Sequence, residues 1–181
     1  MLLVVLGVSG SGKSTVAALL ASRTGCALAD GDDFHPASSI ARMAAGHPLD
    51  DALRAPWLAA IAAWLAERAA RDECAVVSCS ALTRAYRDVL RDACPDVRMV
   101  HLAASRELVA QRLATRRGHF MPPGLLDSQY AALEPLGADE PGVTVDLAAT
   151  PEQIADQVLH AFRPPPHSAG AATSAGPSPG N

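Results

Sequence analysis

Eight consecutive residues carry the first recognisable chemistry. Gly7-Val8-Ser9-Gly10-Ser11-Gly12-Lys13-Ser14 has the spacing GxxxxGK[ST]. Glycines let the backbone curl until successive N–H groups point inward and form an anion nest. A helix that starts at Lys13 adds the positive end of its dipole. Lys13 is the only lysine in the chain. Its ammonium is a mobile point charge for β- and γ-phosphates, and the Ser14 hydroxyl is a ligand for Mg²⁺. Gly7, Ser9, Gly10, Ser11, Gly12, Lys13, Ser14 and Thr15 are therefore the candidate contacts to ATP.

Two carboxylates follow at Asp30-Gly31-Asp32, after a short apolar run. In an open α/β sheet, ligands bind beyond the carboxyl ends of the strands, so this pair is expected to face the phosphates. Asp30 is assigned to the metal side, acting through water. Asp32 is assigned to the acceptor, as a proton-accepting or orienting group. A third cluster, Arg112, Arg116 and Arg117, precedes Gly118-His119-Phe120-Met121-Pro122-Pro123. Arg112 and Arg116 share a helix face, and the loop after them reads as a mobile lid over about 116–135. Arg116 is expected to neutralise charge on the transferring phosphoryl group. Arg54 and Arg87 are candidates for a two-point grip on a substrate carboxylate; the alternative for each is a structural ion pair. His35 either meets a substrate hydroxyl or caps the next helix.

These groups need elements to position them. Residues 2–6 read as a buried strand, 13–23 as a helix closed by Gly25, and 26–29 as a second strand. Helices are expected over 36–45 and 56–71, a third strand over 74–79, a helix over 83–93 and a fourth strand over 97–102. A helix over 105–115 begins at the candidate N-cap Ser105. A fifth strand over 143–147 leads to the capping-box sequence Thr150-Pro151-Glu152-Gln153. Strands alternating with helices predict a three-layer αβα sandwich of the P-loop type, with a mainly five-stranded parallel sheet. Residues 1–163 form that domain. The Pro-, Gly-, Ala- and Ser-rich residues 164–181 are expected to be a disordered tail.

Composition excludes several classes. The chain has 181 residues, 49% of them hydrophobic and 19% charged, with a net charge of −4. That balance gives no field for nucleic acid or an anionic membrane. The N-terminal apolar run is too short to span a bilayer. A guanine-reading Asn/Thr-Lys-x-Asp motif is impossible because the sole lysine already lies in the phosphate loop. The four cysteines, Cys26, Cys74, Cys79 and Cys94, show no metal spacing, and reduced thiols in a cytoplasmic protein are expected.

Taken together, the motifs resemble those of the gluconokinase family. The resemblance runs from Gly7 to about Leu159. It is carried by the phosphate loop through Thr15, Asp30-Gly31-Asp32 with Phe34-His35-Pro36, Met43 with Gly46 and Pro48-Leu49, and Arg54 with Pro56-Trp57-Leu58. Cys79-Ser80-Ala81-Leu82 with Tyr86-Arg87, and Arg117-Gly118-His119-Phe120-Met121-Pro122, continue it, followed by Leu125-Leu126, Ser128-Gln129 and Leu133-Glu134. The resemblance implies ATP- and Mg²⁺-dependent phosphorylation of D-gluconate to 6-phosphogluconate, usually in a homodimer, on a fold related to shikimate and nucleoside-monophosphate kinases. It also implies that Arg112 stacks on adenine opposite the Thr150-Pro151 segment, and that His119 shapes the lid or touches substrate. Three positions depart from the family pattern: Ser39 for the usual Asn, Ala52-Leu53 where acids are common, and Thr83 for Lys. All lie on the acceptor side. Other acceptors (another sugar acid, shikimate or a nucleotide) and a nucleotide-binding regulator without turnover are the competing readings.

Overall fold

The computed structural model describes residues 1–115 and 123–162. Five strands form one sheet in the order β2-β3-β1-β4-β5. They are β1 (Leu2–Leu6), β2 (Ala27–Asp30), β3 (Ala75–Cys79), β4 (Val97–Ala103) and β5 (Gly142–Asp146). Every neighbouring pair is parallel. The helices are α1 (Lys13–Thr24), α2 (Ala37–Ala44), α3 (Asp51–Ala70), α4 (Arg84–Ala93), α5 (Arg106–Thr115), α6 (Pro123–Ala132) and α7 (Pro151–Ala161).

The layering follows from side-chain alternation along β1. Leu3 and Val5 enter one core with Val16 and Leu20 of α1, Val109 of α5, Leu126 of α6 and Ile154 of α7. Leu2, Val4 and Leu6 enter the other with Trp57, Ile61 and Leu65 of α3 and Leu90 of α4. A strand that is apolar on both faces must be covered on both, which gives the αβα sandwich. β1 lies at the centre, between β3 and β4. The loop after it therefore opens at the crevice where the chain switches sides of the sheet.

Local signals set most boundaries. Gly25 ends α1 in the left-handed region at φ 69°, as a C′ glycine should. Thr150 and Gln153 form the full capping box at the start of α7. Two boundaries depart from the sequence reading. α3 begins five residues before Pro56, because the Asp50 carboxylate caps the Leu53 N–H at 2.9 Å and nucleates an earlier turn. Of the expected lid, residues 123–132 form the helix α6.

The cysteine expectation is corrected. Cys26 and Cys74 form a disulfide, with their Cα atoms 4.8 Å apart. β2 and β3 are parallel neighbours with Ala27 opposite Ala75, so the residues entering the two strands meet although 48 positions separate them. Cys79 and Cys94 are free and buried. Opening a loop of this length is expected to cost at most about 4 kcal/mol on chain-entropy grounds. Melts with and without a phosphine reductant should show a lower midpoint on reduction. Thiol counting in denaturant checks the bond: two reactive thiols before reduction agree with it, and four contradict it.

Candidate active site

The phosphate loop takes its shape from three glycines with positive φ: Gly7 at 149°, Gly10 at 79° and Gly12 at 81°. A Cβ on Gly10 would lie 2.7 Å from Leu113 Cδ2 on α5, so α5 presses directly on the crown of the loop. Lys13 Nζ folds back and donates to the Val8 carbonyl at 3.0 Å. The Ser11 hydroxyl is fully buried and has no hydrogen-bond partner among the described residues.

The acidic pair lies beside this loop. Asp30 ends β2, and its Oδ2 accepts from Ser14 Oγ at 2.9 Å. Its Oδ1 accepts from the Asp32 N–H at 3.1 Å, capping the 3₁₀ turn Gly31–Phe34. That turn hugs β3: a Cβ on Gly31 would lie 2.3 Å from the Ser78 carbonyl oxygen. Burial alone would raise the Asp30 pKa. Hydrogen bonds from the Asp32 N–H and the Ser14 and Ser78 hydroxyls, together with the Lys13 charge, outweigh it and hold the carboxyl below its ordinary value. At neutral pH Asp30 is a carboxylate. Ser78 was absent from the sequence reading, because nothing marks one serine within an apolar strand as facing an acid on the neighbouring strand.

The free thiol of Cys79 shows where the charges converge. Burial pushes its pKa up to about 12, and Lys13, Asp32 and Asp30 are the charged groups acting on it. The thiol is inert at neutral pH. Ammonium and both carboxylates thus lie within electrostatic reach of the end of β3. The Ser14 hydroxyl and Asp30 carboxylate, in contact at the head of α1, suit Mg²⁺. That ion is held by one or two carboxylates plus phosphates and waters, without an all-protein cage.

Asp32 is exposed at the mouth of the site. Next to it, His35 stacks on Trp57 with ring centroids 4.6 Å apart and planes 10° from parallel. Trp57 Nε1 donates to the Gly31 carbonyl at 2.6 Å. This tryptophan is 2% exposed, so the core of α3 supports the acidic turn. Burial lowers the His35 pKa; the Asp32 charge raises it and the Arg54 charge lowers it further. Asp32, His35 and Arg54 therefore share one electrostatic neighbourhood. His35 Nδ1 is buried without a hydrogen-bond partner among the described residues. Arg54 Nε donates to the Leu49 carbonyl at 3.1 Å, and the guanidinium sits 5.6 Å from the Tyr86 ring centroid. Tyr86 in turn donates its hydroxyl to Asp51. Thr83, one of the departures from the family pattern, caps α4 by accepting from the Tyr86 N–H at 3.3 Å.

Arg87 is corrected as a substrate contact. It forms a buried ion pair with Glu140, Nε to Oε1 at 2.6 Å and Nη2 to Oε2 at 2.9 Å, both side chains 0% exposed. Its other bonds go to the carbonyls of Leu82, Glu134 and Pro135. The fork fastens α4 to the segment before β5, and no face of it reaches solvent.

Arg112 donates to the Leu147 carbonyl at 2.9 Å. This bond ties α5 to the β5–α7 connection, which ends at Thr150 and Pro151, the first residue of α7. The two expected adenine contacts thus lie on segments joined to each other. Arg116, Arg117 and His119 lie outside the described residues, as do 164–181. One contact belongs to a motif residue without an assigned role. Gln129 on α6 places its Oε1 2.6 Å from the Ser9 nitrogen and accepts that N–H.

Residues 2–136 match a family model described as an AAA domain. A gluconokinase of Gluconobacter oxydans (strain 621H) is 45% identical over 161 residues, covering 89% of this chain and 90% of that protein. The thermoresistant gluconokinase of Escherichia coli (strain K12) is 41% identical over 144 residues, 78% of this chain and 81% of its own. The crystal structure of a gluconokinase from Sinorhizobium meliloti 1021 superimposes with a TM-score of 0.81 at 44% identity, covering 88% of this chain and 89% of that one. Identity at this level over most of both chains is decisive, and the chain belongs to the gluconokinase family of P-loop kinases.

Proposed function

We propose that this chain phosphorylates D-gluconate to 6-phospho-D-gluconate with ATP as donor. The observation that supports the reading is the Ser14–Asp30 bond at the head of α1, beside the phosphate loop, with Lys13 and Asp32 both within electrostatic reach of the end of β3. The relatives named gluconokinase support the choice of acceptor.

The loop amides and Lys13 bind the β- and γ-phosphates, and Lys13 exchanges the Val8 carbonyl for phosphate oxygens. Ser14 directly and Asp30 through water would hold Mg²⁺, which would neutralise the charge that builds on the phosphates. Asp32 accepts a hydrogen bond from the terminal hydroxyl of gluconate and takes its proton as that oxygen bonds to the γ-phosphorus. The bond from that phosphorus to the β,γ-bridging oxygen breaks, and ADP leaves. Arg54 grips the substrate carboxylate and His35 bonds a hydroxyl. Arg116 is assigned to the transferring group, His119 to the lid, and Arg112 with Pro151 to adenine. A homodimer in the cytoplasm completes the proposal. Among the described residues no helix is long and apolar enough to cross a membrane.

An ADP-release assay over gluconate, other sugar acids, shikimate and nucleotides tests the acceptor. Gluconate should give the highest kcat/KM, and preference for another acceptor overturns the reading. In the same assay Asp32→Asn should lower kcat by about 10²–10⁴-fold, the range for a positioned general base. ATP affinity should stay near wild type. A loss confined to ATP affinity would remove Asp32 from the acceptor side.

A further inference from the structure

We propose that Gln129, which accepts the Ser9 N–H of the phosphate loop, is a positioning residue for the terminal phosphate of ATP. The inference rests on the ATP-dependent reading above.

Both polar groups of a single peptide link are taken by internal partners. The Val8 carbonyl accepts from Lys13 Nζ at 3.0 Å, and the Ser9 N–H donates to Gln129 Oε1 at 2.6 Å. Lys13 is the loop's ligand for the β- and γ-phosphates. A link that already carries the Lys13 ammonium therefore lies at the γ end of the cradle. The helix-start amides lie towards the other phosphates. An arriving γ-phosphate competes for the Lys13 ammonium and the Ser9 N–H together.

Gln129 is held firmly enough to act there. α6 buries Leu126 at 4% exposure in the core. The Tyr130 hydroxyl donates to the Ala104 carbonyl at 3.1 Å, and Arg106 pairs with Asp127 at 2.5 Å. Docking at three points fixes the helix, so the position of the Gln129 side chain is set by the fold. A carboxamide carries an acceptor and two donors on one carbon. Its last torsion is soft. Rotation therefore replaces the acceptor that holds Ser9 with an NH₂ group at the same mouth, where it meets a phosphoryl oxygen. Such a group favours nucleotides with a γ-phosphate over those without one.

The test compares affinities for two nucleotides. Wild type, Gln129→Glu and Gln129→Ala are titrated calorimetrically with Mg²⁺ and either ADP or the non-hydrolysable β,γ-imido analogue of ATP, alongside thermal melts. Glutamate keeps the acceptor and the shape but removes the donors and adds a negative charge. Gln129→Glu should weaken the ATP analogue by about tenfold or more, the scale of a hydrogen bond to a charged group. ADP should stay close to wild type, and the melting midpoint should be retained. Gln129→Ala should shift the same ratio by less, and it decides the matter if the glutamate variant melts early. An unchanged ratio of the two affinities, or equal loss of both, overturns the proposal and leaves Gln129 as an anchor of α6. Failure of the wild type to bind either nucleotide would instead sink the ATP-dependent reading itself.

Discussion

Lys13→Ala is expected to lower kcat by about a thousandfold or more, the scale reported for removing a charge that stabilises a transferring phosphoryl group. The chain has no second lysine to substitute for it. Among the described residues, Arg54 is assigned to the acceptor and Arg112 donates to the Leu147 carbonyl. The structural loss is expected to be small, because the Lys13 bond to the Val8 carbonyl lies within the loop itself. Losing it should cost about 1 kcal/mol. Lys13→Arg should also be strongly impaired, since a planar fork does not replace a compact ammonium inside a curled loop. The checks are ADP release with gluconate and a thermal melt. Turnover within tenfold of wild type in a well-folded variant would show that the ammonium is not used.

Glu140→Gln should have its large effect on stability and almost none on KM for the acceptor. The carboxylate and Arg87 are sealed from solvent, and the pair joins α4 to the turn before β5. Removing one partner leaves an uncompensated buried charge, which costs about 3–5 kcal/mol. Denaturant unfolding measures it. The wild type should show the same linkage in its pH dependence. The hydrogen bonds from Arg87, opposed by burial and helped by the Gly137 N–H, hold the Glu140 pKa below the usual glutamate value. Its contribution is therefore complete above the unfolded-state pKa, near 4.5, and is lost as the pH falls through the lower folded-state value. If Glu140→Gln raised KM for gluconate sharply at unchanged stability, Arg87 would return to the substrate site.

These two residues also mark what a sequence can reveal. Lys13 was legible because a phosphate nest needs glycines, an ammonium and a hydroxyl at fixed local spacing. The sheet was legible for a similar reason: apolar runs and helical periodicity are local signals, and Thr150–Gln153 even announced its own cap. Arg87 was not legible. An arginine four residues after a helix cap looks the same whether it faces substrate or a glutamate 53 positions away. The disulfide was hidden likewise, since only the pairing of β2 with β3 brings Cys26 to Cys74. Ser78 and Gln129 act across strand and helix boundaries that no spacing encodes. Pro56 misled for a different reason: proline signals a first helical turn, but the Asp50 cap upstream had already started the helix.

The tight seat of Gly31 on β3 limits how this scaffold can diversify. Any side chain at that position would meet the Ser78 carbonyl and lift both acids away from the phosphate loop together. The acidic turn is therefore frozen, and new acceptors must be accommodated by changes elsewhere. The helix that follows it, α2, is largely exposed, with Ile40 and Met43 standing in solvent. Lineages built on this frame can be expected to vary along that helix while position 31 stays without a side chain.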